Sequence, residues 1–253
     1  MTKILRALLS ACPYELYWFD KTVGIRCLTG DIVVTYTNSA LTLDSITYRF
    51  VVAQEFAAGE YAVNTRFAGS IQTAVTTAEQ IAGSVAGLSD YEKLKVFKNR
   101  ICELTSYNSS AGSSSTTTPF GNPWQLIWVF DGDSSTKVVC EGYSKAFQYL
   151  CDLCSFTSGE INCYTATGTT NSGRHMWNIV HMDDGHNYLV DVTNCDSGKV
   201  GYPDLLFLKG WKSGSPSSGY KYRGESSVGA GAGTSSPGGI SFLSARTWEA
   251  PRP

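Results

Sequence analysis

A chain of 253 residues with a formal net charge of −2 and its 20 Lys and Arg scattered along the chain offers no electrostatic groove for nucleic acid and no polybasic membrane anchor. At 42% hydrophobic and 17% charged residues it reads as globular, with apolar material for one large domain or a core with an extension. No run approaches the roughly 20 apolar residues that a membrane span needs.

The opening MTKILRALLSAC carries Lys3 and Arg6, and Leu9-Ser10-Ala11-Cys12 superficially matches a lipoprotein cleavage box. Its apolar run falls short of the roughly 7–15 residues of a signal-peptide core, and Arg6 interrupts it. Ile4, Leu5, Leu8 and Leu9 share one helical face, so a helix is expected over residues 1–20, ending in the aromatic cluster Tyr14–Phe19 after Pro13. Residues 22–64 alternate as strands do. Asp31–Thr37 and Ser45–Val52 are rich in β-branched and aromatic residues and are close enough for a hairpin through 38–44. Residues 67–104 predict two helices, the second started by a capping box of Ser89 and Glu92 and striped by Leu94, Phe97, Ile101 and Leu104.

A polar, low-complexity loop follows at 108–118, then a short apolar segment, Trp124–Phe130. A helix is expected from Cys140 through Ala146, Phe147, Leu150 and Leu153. Three strands come next, Ile161–Thr167, Met176–Met182 and Asn187–Val192, the last two joined by Asp183-Asp184-Gly185. Beyond Trp211 the composition turns to Gly, Ser and Pro, which bury too little apolar surface to offset the entropy of ordering. The expected organisation is an N-terminal helix and strand extension over 1–85, a core over 86–212 and a disordered tail over 213–253.

Eight cysteines show no repeating framework. Cys151 and Cys154 form a CxxC, a pattern used for zinc or redox chemistry, but no second CxxC or paired His completes a metal site, so burial is the expectation. No DxDxDG loop marks a calcium site.

Cys140 is placed differently, where a loop turns into a helix. A helix N-terminus offers free N–H groups and about half a unit of positive charge, which favours a thiolate and can hold a developing oxyanion. His175 opens a strand in Gly173-Arg174-His175-Met176-Trp177, and Asp191 closes the next in Tyr188-Leu189-Val190-Asp191-Val192-Thr193. Pairing about Gly185 sets His175 beside Asp191, so that the carboxylate accepts from one ring nitrogen while the other faces the thiol. His181, later in the same strand, and His186, by the turn, are the alternative bases, and surface roles suit both better.

The order Cys-x-Gly-Tyr, His-x-Trp, Asp-Val-Thr resembles the transglutaminase-like superfamily. The segments VCEGYSKAFQYLCD, HMWNIV and YLVDVT are especially similar to its bacterial members. The resemblance runs from Ser89 to Gly210 and implies an α+β fold, a papain-like core in which a nucleophile helix packs on an antiparallel sheet. It further implies Cys140 as nucleophile, His175 as base and then acid, Asp191 as the orienting carboxylate and Trp177 as a wall of the site. For the side chain that steadies the oxyanion, Tyr107, Trp124 and Gln125 stand open. The sequence departs from the family pattern in carrying Asn194-Cys195 where a Trp usually follows Asp-x-Thr, and in the Ser/Thr loop, which looks like an insertion.

The activity so implied is thiol-dependent acyl transfer on a protein or peptide amide, with no cofactor and no metal. Hydrolysis by a cysteine peptidase or amidase is favoured because water is the default acceptor, and glutamine crosslinking is the alternative with the same residues. An extracellular or cell-surface location follows from the resemblance alone. A module that binds peptide or cell wall without turnover is the competing class, and a CxxC redox or zinc protein the third.

Overall fold

The structure is a computed structural model that describes residues 8–9, 12, 14–20, 22–37, 39–112, 122–210 and 222–224. It is α+β, built from helices and antiparallel sheets. Its contacts gather the chain into two compact units, one of Tyr14–Gly69 and one of the described residues before Tyr14 and from Ser70 onward.

In the unit Tyr14–Gly69, residues 14–18 form turns, where a helix was expected through residue 20. Pro13 supplies the reason, since a proline cannot continue the hydrogen bonding of a helix that precedes it. Strand β1 (Ile25–Arg26) is followed by β2 (Ile32–Thr37), β3 (Ala40–Ile46) and β4 (Arg49–Phe50). The hairpin β2–β3 turns at Ser39, which takes a positive φ of 72°, so residues 40–44 belong to the strand rather than to the connection. The expected strand over 45–52 divides instead: Ser45 and Ile46 pair with β2, while Arg49 and Phe50 pair with β1. Asp31 is buried and takes a two-pronged hydrogen bond from the Arg49 guanidinium, with Nη2–Oδ1 at 2.6 Å and Nε–Oδ2 at 2.9 Å, which satisfies its charge. A smaller pair, β5 (Ala57–Gly59) with β6 (Ala62–Val63), completes this unit.

From Ser70 the second unit takes up α1 (Gly69–Ser84), whose Ile71, Ala74, Ala78 and Ile81 bury one face at helical spacing. Helix α2 (Asp90–Leu104) begins at the capping box that the sequence predicts: the Glu92 carboxylate accepts from the Ser89 N–H at 3.0 Å. Its Leu94, Phe97 and Ile101 are buried. A single turn, α3 (Ser109–Gly112), stands where the polar loop begins, and residues 113–118 of that loop lie outside the described residues. The apolar segment forms a helix, α4 (Trp124–Phe130).

Helix α5 (Cys140–Leu153) is the centre of the unit. Every residue from Cys140 to Phe147 is buried, as befits a helix enclosed by α2, α4 and the sheet strands β7 (Asn162–Thr170) and β8 (Gly173–His181). Gly142 makes this approach feasible, because it lies against Val138 and the Gln125 carbonyl with no room for a side chain. Two side-chain amides then lock helix to sheet: Asn178 Nδ2 donates to Ser144 O at 2.9 Å, and the Thr165 N–H donates to Gln148 Oε1 at 2.8 Å.

The antiparallel sheet has the order β10–β7–β8–β9, with β9 at Asn187–Val190 and β10 at Arg223–Gly224. Strand β9 stops one residue short of Asp191, which caps a short helix, α6 (Val192–Cys195), so Val192 is helical where a strand residue was expected. Of the stretch expected to be disordered, 213–253, all but residues 222–224 lie outside the described residues; those three are the buried Tyr222 and β10, which pairs with β7. Among the described residues no helix is long and apolar enough to cross a membrane.

Candidate active site

Cys140 is the first residue of α5, whose N-cap, Val139, has an extended backbone and no side-chain cap. No capping side chain therefore competes for the positive end of the helix. His175 is the third residue of β8, opposite Gly168 of β7, and Asp191 follows the last residue of β9. The three side chains are buried together, at 5%, 7% and 0% exposure respectively.

His175 Nε2 and Asp191 Oδ2 are 2.8 Å apart. An ionised carboxylate only accepts, so Nε2 carries the proton of that bond and Nδ1 is left for another partner. Cys140 also acts on the same ring, favouring its charged form. Burial works against the imidazolium, but the charge and hydrogen bond of Asp191, joined by Cys140, outweigh it and hold the His175 pKa well above the ordinary value. Asp191 shows the mirror image. Burial raises its pKa, and the His175 charge with hydrogen bonds from His175, Tyr222 and Asn194 bring it below the usual carboxylate range.

Trp177 stands two residues along β8 on the same face, with its ring centroid 6.1 Å from that of His175 and the planes 22° apart. Of the three oxyanion candidates, Gln125 is buried and its Oε1 accepts the Val139 N–H at 2.8 Å, beside Cys140, which turns its amide nitrogen away from that bond. Tyr107 bridges Val138 through its backbone, and its ring faces Lys199, with Nζ 4.4 Å from the centroid. Trp124 is half-buried at the start of α4, with its ring 6.2 Å from that of Trp128.

The other titrating side chains sit elsewhere. His181 meets Asn187 Oδ1 at 3.0 Å at the far end of β8, and His186 is exposed in the turn beside Asp184. Burial, joined by the neighbouring Cys163, raises the pKa of Cys151, and Cys154 is raised by burial as well. Among the described residues no group of three or more His, Cys, Asp or Glu is placed to hold a metal ion.

Two residues that sequence reasoning missed complete the surroundings of Asp191. Asn194 donates its backbone N–H to Oδ1 at 3.1 Å and its Nδ2 to Oδ2 at 2.7 Å. Tyr222 donates its hydroxyl to Oδ2 at 2.6 Å. For Asn194 the available signal was the Asp-x-x-Asn spacing of a helix cap. For Tyr222 it was Tyr220-Lys221-Tyr222-Arg223, a short strand-like alternation inside an otherwise Gly/Ser-rich stretch.

No family model matches the chain, and no curated protein does. Among solved structures, one match is named "Crystal structure of a TGase": its TM-score is 0.38 and its identity 14%, over 70% of this chain and 47% of that one. The chain thus spans about half the length of that structure.

Proposed function

We propose that the protein is a thiol-dependent acyltransferase acting on protein or peptide amides, in a papain-like core over residues 86–212, and that it works chiefly as a hydrolase. The observation that carries this reading is the position of His175, a buried imidazole bonded through Nε2 to Asp191 and buried together with Cys140. Burial alone would keep a histidine neutral, so a carboxylate that holds it charged suits a ring that takes up and returns a proton.

In the reaction so proposed, Cys140 Sγ attacks the amide carbonyl and the C=O electrons move to oxygen. Donors at the N-terminus of α5 face that charge, and Gln125, whose Oε1 accepts the Val139 N–H, is the side-chain candidate to join them. His175 then gives the Nδ1 proton to the departing amine as the C–N bond breaks, which leaves a thioester. Asp191 keeps the ring oriented and stabilises the imidazolium throughout. Water, deprotonated by His175, releases the acid; a primary amine at the same point would give a crosslink.

The test is incubation of the full chain with peptide and glutamine-containing libraries, with and without a primary amine, against Cys140→Ala. Mass spectrometry separates cleavage, deamidation and crosslinking. Product formed equally by Cys140→Ala would defeat the proposal, and amine incorporation exceeding hydrolysis would move it to the crosslinking alternative.

A further inference from the structure

We propose that Tyr222 is a positioning residue for the His175–Asp191 pair; this rests on the acyl-transfer reading above. The sheet register explains how a residue so remote in sequence arrives there. Gly224 pairs with Gly168, Gly168 pairs with His175, and Ala166 pairs with Trp177. Antiparallel partners share a face, and Tyr222, two residues before Gly224, shares it too. Between Tyr222 and the His175–Trp177 stretch of β8, β7 presents on that face the small residues Gly168 and Ala166, beyond Thr170 opposite Tyr222. The ring therefore reaches across to Trp177, at 5.0 Å between centroids, and to His175, at 6.3 Å.

At the end of that reach the hydroxyl donates to Asp191 Oδ2, the oxygen that also accepts from His175 Nε2 at 2.8 Å and Asn194 Nδ2 at 2.7 Å. Three donors on one oxygen of a wholly buried carboxylate fix its rotation, and they divide its charge. The share taken by Tyr222 is a share withdrawn from the imidazolium. The hydroxyl thereby both holds Asp191 in line with the ring and tempers how tightly His175 keeps its proton, which matters for an acid that must give that proton to a leaving amine. The titratable groups that face His175 are Asp191 ahead of α6, Cys140 on α5 and Tyr222 ahead of β10, while Cys195 of α6 faces Asp191.

A tyrosine that merely seals the site would act through its ring, and Tyr222→Phe keeps the ring. The experiment is a histidine ring titration by NMR of the full chain in a Cys140→Ala background, with and without Tyr222→Phe, circular dichroism confirming that both are folded. The chain has 3 histidines, so His181 and His186 serve as internal references. The expected result is an upward shift of the His175 titration in Tyr222→Phe while His181 and His186 stay in place. An unchanged or lowered His175 titration overturns the proposal. The readout needs no turnover. In parallel, the Cys140-intact protein and its His175→Ala variant are alkylated: equal rates would sink the acyl-transfer reading while the titration still decides the role of Tyr222.

Discussion

Gly142 lies so close to Gln125 that a Cβ built on it would stand 2.7 Å from the Gln125 carbonyl oxygen, and 2.5 Å from Val138 Cβ. In a helix interior, Gly→Ala ordinarily gains about 1 kcal/mol. Here the contact is with backbone, which cannot swing aside, and overpacking of this kind costs roughly 1–3 kcal/mol. Gly142→Ala is therefore expected to lower stability, read as a lower denaturant midpoint, and to displace the start of α5, read as slower alkylation of Cys140. A variant as stable as the wild type would show that α4 and α5 are farther apart than described.

The pair His175–Asp191 makes stability depend on pH in both directions. His175 has a raised folded pKa, so its contribution is fully present below the ordinary histidine value and is lost as pH rises through the folded value. Asp191 has a lowered folded pKa, so its contribution is present above the ordinary carboxylate range and is lost as pH falls through the folded value. The stabilisation is greatest between those limits. Asp191→Asn should shrink both slopes in denaturation curves measured across pH, and should lower the His175 titration, because burial is then opposed by Cys140 alone.

Alkylation by iodoacetamide at neutral pH should rank the cysteines. Burial pushes the Cys102 thiol up to about 12 and raises Cys151, Cys154 and Cys195 as well, which keeps these four protonated and slow. Cys140 should react ahead of all four, and His175→Ala should slow it by at least about tenfold, in line with general-base contributions. Peptide mapping after brief exposure decides this. Labelling of Cys151 before Cys140 would count against the proposed nucleophile.

Asn178 has no solvent exposure and donates to the Ser144 carbonyl, joining β8 to the middle of α5. Asn178→Ala leaves that bond unmade and a gap beside it. A loss of about 2 kcal/mol is expected from chemical denaturation, of the size found for a buried hydrogen-bonding group deprived of its partner. Loss of Cys140 reactivity at unchanged fold would accompany it, since helix and sheet carry the two halves of the site.

Local chemistry made much of the molecule legible. The Ser89–Glu92 box marks a helix start through bonds within four residues, and Gly185 closes the hairpin that carries His175 and Asp191, because a tight turn fixes the pairing of the strands on either side. Even there the pattern misled by a residue or two: Asp191 caps a helix instead of ending a strand, since its carboxylate finds the N–H of Asn194 three residues on.

By itself the amino-acid order marked the starts of α2 and α5, the hairpin of β8 and β9, and which of the 8 cysteines opens a helix. These outcomes depend on contacts a few residues apart. Tertiary structure alone decided that Gln125 would bond beside Cys140, that Gly142 would meet another helix, and that Tyr222 would reach Asp191 from 31 residues away. Composition argued against any order around Tyr222. A neighbouring strand that presents glycine at the crossing point admits the ring, and a buried carboxylate needing donors holds it, and neither condition is written near residue 222.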